Sequence, residues 1–125
     1  MASNNELNVN NLSLGGNLLL KGVAVVNPKT ANKVKIGTIA PGVIVAPKAP
    51  LDEVTMMFPM NVQDGQVMFL SFTQDVKKVN YTNANFANGS ILGPSVQAGD
   101  SITLFYHAKT DKWYKLSGGS APPKK

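Results

Sequence analysis

The stretch covering residues 98–116, AGDSITLFYHAKTDKWYKL, constrains this chain more than any other. Over residues 102–107, Ile102, Leu104 and Tyr106 fall on one side and Thr103, Phe105 and His107 on the other. That is the two-residue period of a strand, carried by β-favouring residue types. Gly99-Asp100 marks the turn that starts it, residues 108–112 make a polar connection of hairpin length, and residues 113–116 return with aromatic and aliphatic groups. The hairpin holds the only tryptophan and two of the three tyrosines. Aromatic side chains bury the most area per residue, so this hairpin is expected to anchor a core.

Further strands are expected at residues 23–26, 33–39, 43–45, 54–57, 66–72 and 76–81, punctuated by Asn27-Pro28, Pro41-Gly42 and Gln63-Asp64-Gly65. In 66–72, Val67, Phe69 and Ser71 share one face and Met68, Leu70 and Phe72 the other. Apolar groups on both faces imply a strand covered on both sides. The more polar 76–81 belongs nearer an edge, and 83–93 reads as a loop with a short strand at Ile91-Leu92. No stretch sustains a helical apolar period. The expected class is all-β, a small antiparallel β-sandwich or barrel with an extended N-terminal arm.

The arm is rich in asparagine and leucine. Leu7 and Val9, Leu12 and Leu14, and Leu18 and Leu20 form three alternating pairs, interrupted by Asn10-Asn11 and Gly15-Gly16-Asn17. So few apolar groups cannot build a core alone and should pack on the main domain or on another chain. The expected division is an arm with short strands over residues 1–46 for docking and assembly, and a stiff connector, Pro47-Lys48-Ala49-Pro50. A β-domain over 51–117 and a flexible Gly, Ser, Pro and Lys tail over 118–125 follow.

Composition narrows the function classes. Cysteine is absent, which removes disulfides, thiolate nucleophiles and thiolate metal sites. The polar start, Met-Ala-Ser-Asn-Asn-Glu, is unlike a signal peptide, and no apolar run is long enough for a bilayer. A soluble protein made in the cytoplasm, with no membrane partner, is the expectation. The net charge is +5, yet every basic residue is a lysine. Arginine is the residue suited to bidentate phosphate and guanine contacts, and the lysines here are scattered, so a small nucleic-acid-binding β-barrel ranks last. Steering toward a large acidic surface, sensitive to salt, remains compatible with the charge.

Catalytic sets are poorly served. His107, the sole histidine, lies in a strand without an evident orienting group. Asp52 and Glu53 would point to opposite faces, while Asp64, Asp75, Asp100 and Asp111 stand at expected turns, where aspartate caps backbone groups. No enzyme activity, cofactor or metal is expected. Tyr106, Trp113 and Tyr114 could form a stacking platform for a glycan, although aromatic strand residues in a small β-domain serve the core more often.

Taken together, Val54-Thr55-Met56-Met57-Phe58-Pro59, Asp64-Gly65-Gln66-Val67, Ala98-Gly99-Asp100-Ser101-Ile102-Thr103-Leu104, and Tyr106 followed by Trp113-Tyr114-Lys115-Leu116 resemble the small β-modules of tailed-bacteriophage virion proteins. Such modules occur in capsid decoration proteins, head fibres and tail fibres. The resemblance covers roughly residues 51–117 and implies a homotrimer with a structural role in the virion. On that footing the expected partners are the major capsid protein or other virion proteins. The expected contacts are Leu7, Val9, Leu12, Leu14, Leu18 and Leu20. The alternative is a tail-fibre or receptor-binding module that presents Tyr106, Trp113 and Tyr114 to cell-surface glycans.

Overall fold

The structure, a computed structural model, describes residues 9–17, 22–36 and 41–119. The described residues contain no helix and eight strands: β1 (Val23–Val26), β2 (Asn32–Lys35), β3 (Gly42–Val45), β4 (Leu51–Met57), β5 (Val67–Phe72), β6 (Val76–Thr82), β7 (Ser101–His107) and β8 (Lys112–Gly119). They form a larger sheet of five strands, ordered β1-β3-β5-β7-β8, and a smaller sheet of three, ordered β2-β4-β6.

From β1 to β6 the chain alternates between the sheets at every step, so it winds in successive coils rather than folding back on itself. Four of the six strand pairs are therefore parallel, and only β5-β7 and β7-β8 are antiparallel. This corrects the antiparallel expectation. Alternation of side chains is the same in both orientations, and the connections decide between them. Asn27-Pro28 and Pro47-Lys48-Ala49-Pro50 lack the glycine-containing pairs of a tight hairpin, and their prolines withhold backbone donors. Each carries the chain across to the other sheet, and that intervening strand is the crossover a parallel pair requires.

The winding stacks like on like. In the larger sheet Val43 sits between Ala24 and Leu70, and Val45 between Val26 and Phe72. In the smaller sheet Val54 meets Val79, and Met56 lies between Val34 and Tyr81. These side chains form one buried apolar cluster, with Leu104, Ile102 and Trp113 added by the hairpin and the partly buried Ala24, Val26 and Tyr81 packed against it. Complete burial of such a side chain contributes about 1.5–3 kcal/mol.

β3 thus pairs with β5 and β2 with β4, and the division at residues 46–51 is corrected. Residues 23–45 supply strands of both sheets, and the proline connector joins two strands of the same core. The tail is corrected in part, because Gly118 and Gly119 close β8 opposite Ile102 and Ser101. Residues 120–125 lie outside the described residues, as do residues 37–39 of the strand expected at 33–39.

Residues 83–100 cover the last coil, and the strand expected at Ile91-Leu92 is absent there. Val96 exchanges two backbone hydrogen bonds of 3.0 Å with Val76, and Val79 N–H donates to Pro94 O at 2.7 Å. Trp113 N–H donates to Asn85 O at 2.8 Å and Ala87 N–H to Trp113 O at 3.0 Å. Beneath this covering Phe58 meets Phe86 edge-on at 5.3 Å and Trp113 at 5.5 Å, the geometry aromatic pairs prefer. The aspartates work as turn caps: Asp100 Oδ2 accepts from Gln97 N–H (2.9 Å), Asp75 Oδ1 from Ala98 N–H (2.8 Å) and Asp64 Oδ1 from Ala108 N–H (2.9 Å).

Candidate functional site: the outer face of the larger sheet and a pocket at the hairpin end

The two sheets turn very different faces outward. On the smaller sheet the outward residues include Lys33 and Lys35 of β2, Glu53 and Thr55 of β4, and Lys78 and Asn80 of β6. Asn80 donates to Glu53 Oε2 at 2.7 Å. That is an ordinary solvated sheet surface.

On the larger sheet the register places Val23, Gly42, Phe69 and Thr103 in one outward row and Val25, Ile44, Ser71 and Ser101 in the next. Val23 and Val25 are 61% and 67% exposed, and Ile44 and Phe69 are only half-covered. Between the rows runs a groove of about 430 Å³ with no charged residue in its lining. Gly42 makes its floor. A Cβ there would sit 3.5 Å from Val23 Cγ2 and 3.9 Å from Phe69 Cβ, ordinary contacts, so the dip exists because this position carries no side chain. Farther along the sheet Phe105 stacks on Tyr114 at 5.8 Å. The expectation that β5 is covered on both faces is thereby corrected: Met68, Leu70 and Phe72 are buried, while Val67, Phe69 and Ser71 are not.

Of the expected contact residues, Leu7, Leu18 and Leu20 lie outside the described residues. Val9, Leu12 and Leu14 are 53%, 60% and 49% exposed, apolar side chains that their own chain leaves open to water.

The aromatic platform is corrected. Trp113 is buried at 1% exposure, and the register puts Tyr106 beside it while Tyr114 pairs with Phe105 on the opposite face. Strand alternation separates Tyr114 from its sequence neighbour Trp113, so the three rings cannot present one surface. Tyr106 instead borders a different feature, a pocket of about 370 Å³ whose rim includes Pro59, Met60, Asn83, Asn85 and Asp111. Tyr106 O–H donates to Asp111 Oδ1 at 2.5 Å, and Asn85 Nδ2 donates to Asp111 Oδ2 at 3.2 Å. The hydrogen bond to the Asp111 carboxylate, with lesser contributions from partial desolvation and the Asp111 and Asp64 charges, raises the Tyr106 pKa above its ordinary value. Asn83 and Asp111 adopt left-handed backbone conformations with φ of 63° and 52°.

His107 Nδ1 lies 3.0 Å from Thr110 Oγ1, which also accepts from Tyr114 O–H at 3.0 Å. Among the described residues no three His, Asp or Glu side chains gather as a metal site would require.

Sequence reasoning missed Gly42, Ile44 and Phe69 as surface residues, and Asn83, Asn85 and Asp111 as pocket residues. A signal for the first group existed in the apolar outer positions of residues 66–72. None existed for the second, which the topology assembles from separate loops. No protein-family model, no curated protein and no solved structure matches this chain.

Proposed function

We propose that this protein is a non-enzymatic virion structural protein of a tailed bacteriophage. It acts as a homotrimer that decorates the capsid or builds a head fibre, with the outer face of the larger sheet as its assembly surface. Its two sheets enclose the core as a sandwich, one outer face wetted and the other held against neighbours. One observation carries the reading: on one sheet Val23 and Val25 stay exposed beside the partly buried Ile44 and Phe69, while the opposite sheet turns out lysines and amides. Contiguous apolar surface rimmed by polar groups marks interaction sites. Binding the assembled capsid and not its separated subunits would stabilise the particle by mass action, without any chemistry.

Light scattering on the purified chain tests the assembly half of this reading. A trimer that Phe69→Lys converts to monomers supports it, and a full-length monomer overturns it. The virion half is tested by expressing the chain during phage growth, since it should co-sediment with particles; absence from them overturns the placement.

The pocket beside Tyr106 favours a second reading, a receptor-binding module for neutral sugars. A carboxylate, two amides and the Tyr106 and Trp113 rings border it, and no lysine does. That set hydrogen-bonds sugar hydroxyls and offers a ring to stack on, while repelling anions. D-galactose, D-glucose and N-acetylglucosamine added at millimolar concentration should shift the side-chain amide signals of Asn83 and Asn85 in an NMR spectrum, and the shifts should vanish in Asp111→Ala. Unmoved signals with all three sugars overturn it.

A further inference from the structure

We propose that residues 9–17 of one copy lie in the groove on the outer face of another copy's larger sheet, with Leu12 and Leu14 seated over Gly42 between Val23 and Phe69. This rests on the assembly reading above and names the occupant of its surface.

Two features of the same chain, neither covered by the described residues of its own copy, match in chemistry. The groove lining carries no charge, and the sequence of residues 9–17, VNNLSLGGN, carries none either. Desolvating such a segment against such a groove leaves no charge to bury unpaired, and an unpaired buried charge is strongly unfavourable. Val9, Leu12 and Leu14 are exposed among the described residues of their own copy, so residues 9–17 do not fill its groove. Gly15-Gly16 follows Leu14, and paired glycines let the chain turn away from the body it belongs to.

The dimensions agree as well. The groove crosses β1, β3, β5 and β7, a span of roughly 14 Å at about 4.8 Å per strand spacing. An extended segment rises about 3.3 Å per residue, so residues 9–14 cover roughly 17 Å. Leu12 and Leu14, two residues apart, point to the same side of an extended segment, and Ser13 points away from it. Because the arm of one copy enters the face of the next, the contact is head-to-tail, and it closes a ring when the rotation permits.

Cysteine is absent from the chain, so introduced pairs report without background. Leu14→Cys is combined with Ser71→Cys, near-isosteric and outward-facing, and separately with Thr103→Cys, which stands in the neighbouring row. Each full-length double variant is oxidised and run without reductant. The expected result is a ladder of covalent multimers from at least one pair, lost on reduction and lost when either cysteine is absent. A fast-migrating monomer would mean that the arm folds onto its own copy, and overturns the proposal. Light scattering on the reduced proteins separates the two levels. An oligomer without cross-links in both variants overturns the arm's place while assembly stands, and a monomer overturns assembly together with the proposal.

Discussion

Gly42 stands directly opposite Phe69 in the parallel register of β3 and β5, and the side chain that Gly42 lacks is what leaves the Phe69 ring open on that side. The space is permissive, since a Cβ meets nothing closer than 3.5 Å. Gly42→Leu should therefore fold normally, with stability within about 1 kcal/mol of the parent, and fill the groove. Its assembly should weaken at least tenfold, about 1.4 kcal/mol, read as a shift of the midpoint in a dilution series followed by light scattering.

Trp113 is sealed between the hairpin and the covering segment, touching Phe58 at 5.5 Å and Tyr106 at 5.4 Å. Trp113→Ala should cost about 3–5 kcal/mol, read as a lowered urea midpoint. For a small domain of ordinary stability that is a large share of the total, and much of the population should be unfolded at 37 °C. A variant of unchanged midpoint would place Trp113 outside the core.

Gly118 has φ of 91°, and a Cβ there would stand 2.5 Å from Ser101 O and 2.9 Å from Ile102 Cα. Neither neighbour can give way, because both are backbone of the adjoining strand. Gly118→Ala should destabilise the fold by about 2–3 kcal/mol and fray the end of β8. Hydrogen exchange would show the loss first at the β7-β8 pairing beyond the register shift at Thr103/Leu104.

Tyr81 gives the protein an alkaline limit. Burial, reinforced by the Asp100 charge, pushes its pKa well above the ordinary 10.0, while the hydroxyl donates to Leu92 O at 3.3 Å. Above pH 10 the unfolded chain loses this proton and the folded chain keeps it, so the unfolded state binds fewer protons and stability falls as pH rises. Below pH 10 both states hold the proton and the contribution is complete. Tyr81→Phe should cost about 1 kcal/mol at neutral pH for the lost hydrogen bond. It should also flatten the decline above pH 10, measured by thermal melts from pH 7 to 11.

Strand positions were legible because alternation in 23–26, 67–72 and 102–107 is a local property of side chains. The cap at Asp100 was legible for the same reason, since it serves Gln97 three residues away, whereas Asp64 and Asp75 accept from Ala108 and Ala98, which only the fold brings near. Pair orientation was not legible, because Val43 alternates with Ile44 in the same way whether β5 runs beside it or against it. Domain division failed with it: the proline connector at 47–50 looks like a boundary in sequence, yet it bridges β3 and β4 across one core. The hairpin's four aromatic residues were found, but their division between faces depends on the register that sets Tyr106 against Trp113 and Phe105 against Tyr114. The apolar outer face of β5 was visible, and only the structure shows that the described residues leave it partly uncovered.

Since every strand from β1 to β4 bonds only to strands that are not its neighbours in sequence, almost nothing in the first half of the chain can zip up locally. β7 and β8 are the one pair joined directly, with aromatic side chains on both arms. Closing long loops before any contact rewards it is slow, so productive folding should begin at this hairpin and spread outward through β5 to the earlier coils. The nucleus is then synthesised after the coils that it must organise. Coils synthesised earlier must wait, with Val43, Val45, Val54 and Met56 unburied, for residues made later, and a chain stalled before residue 101 has no template on which to wind.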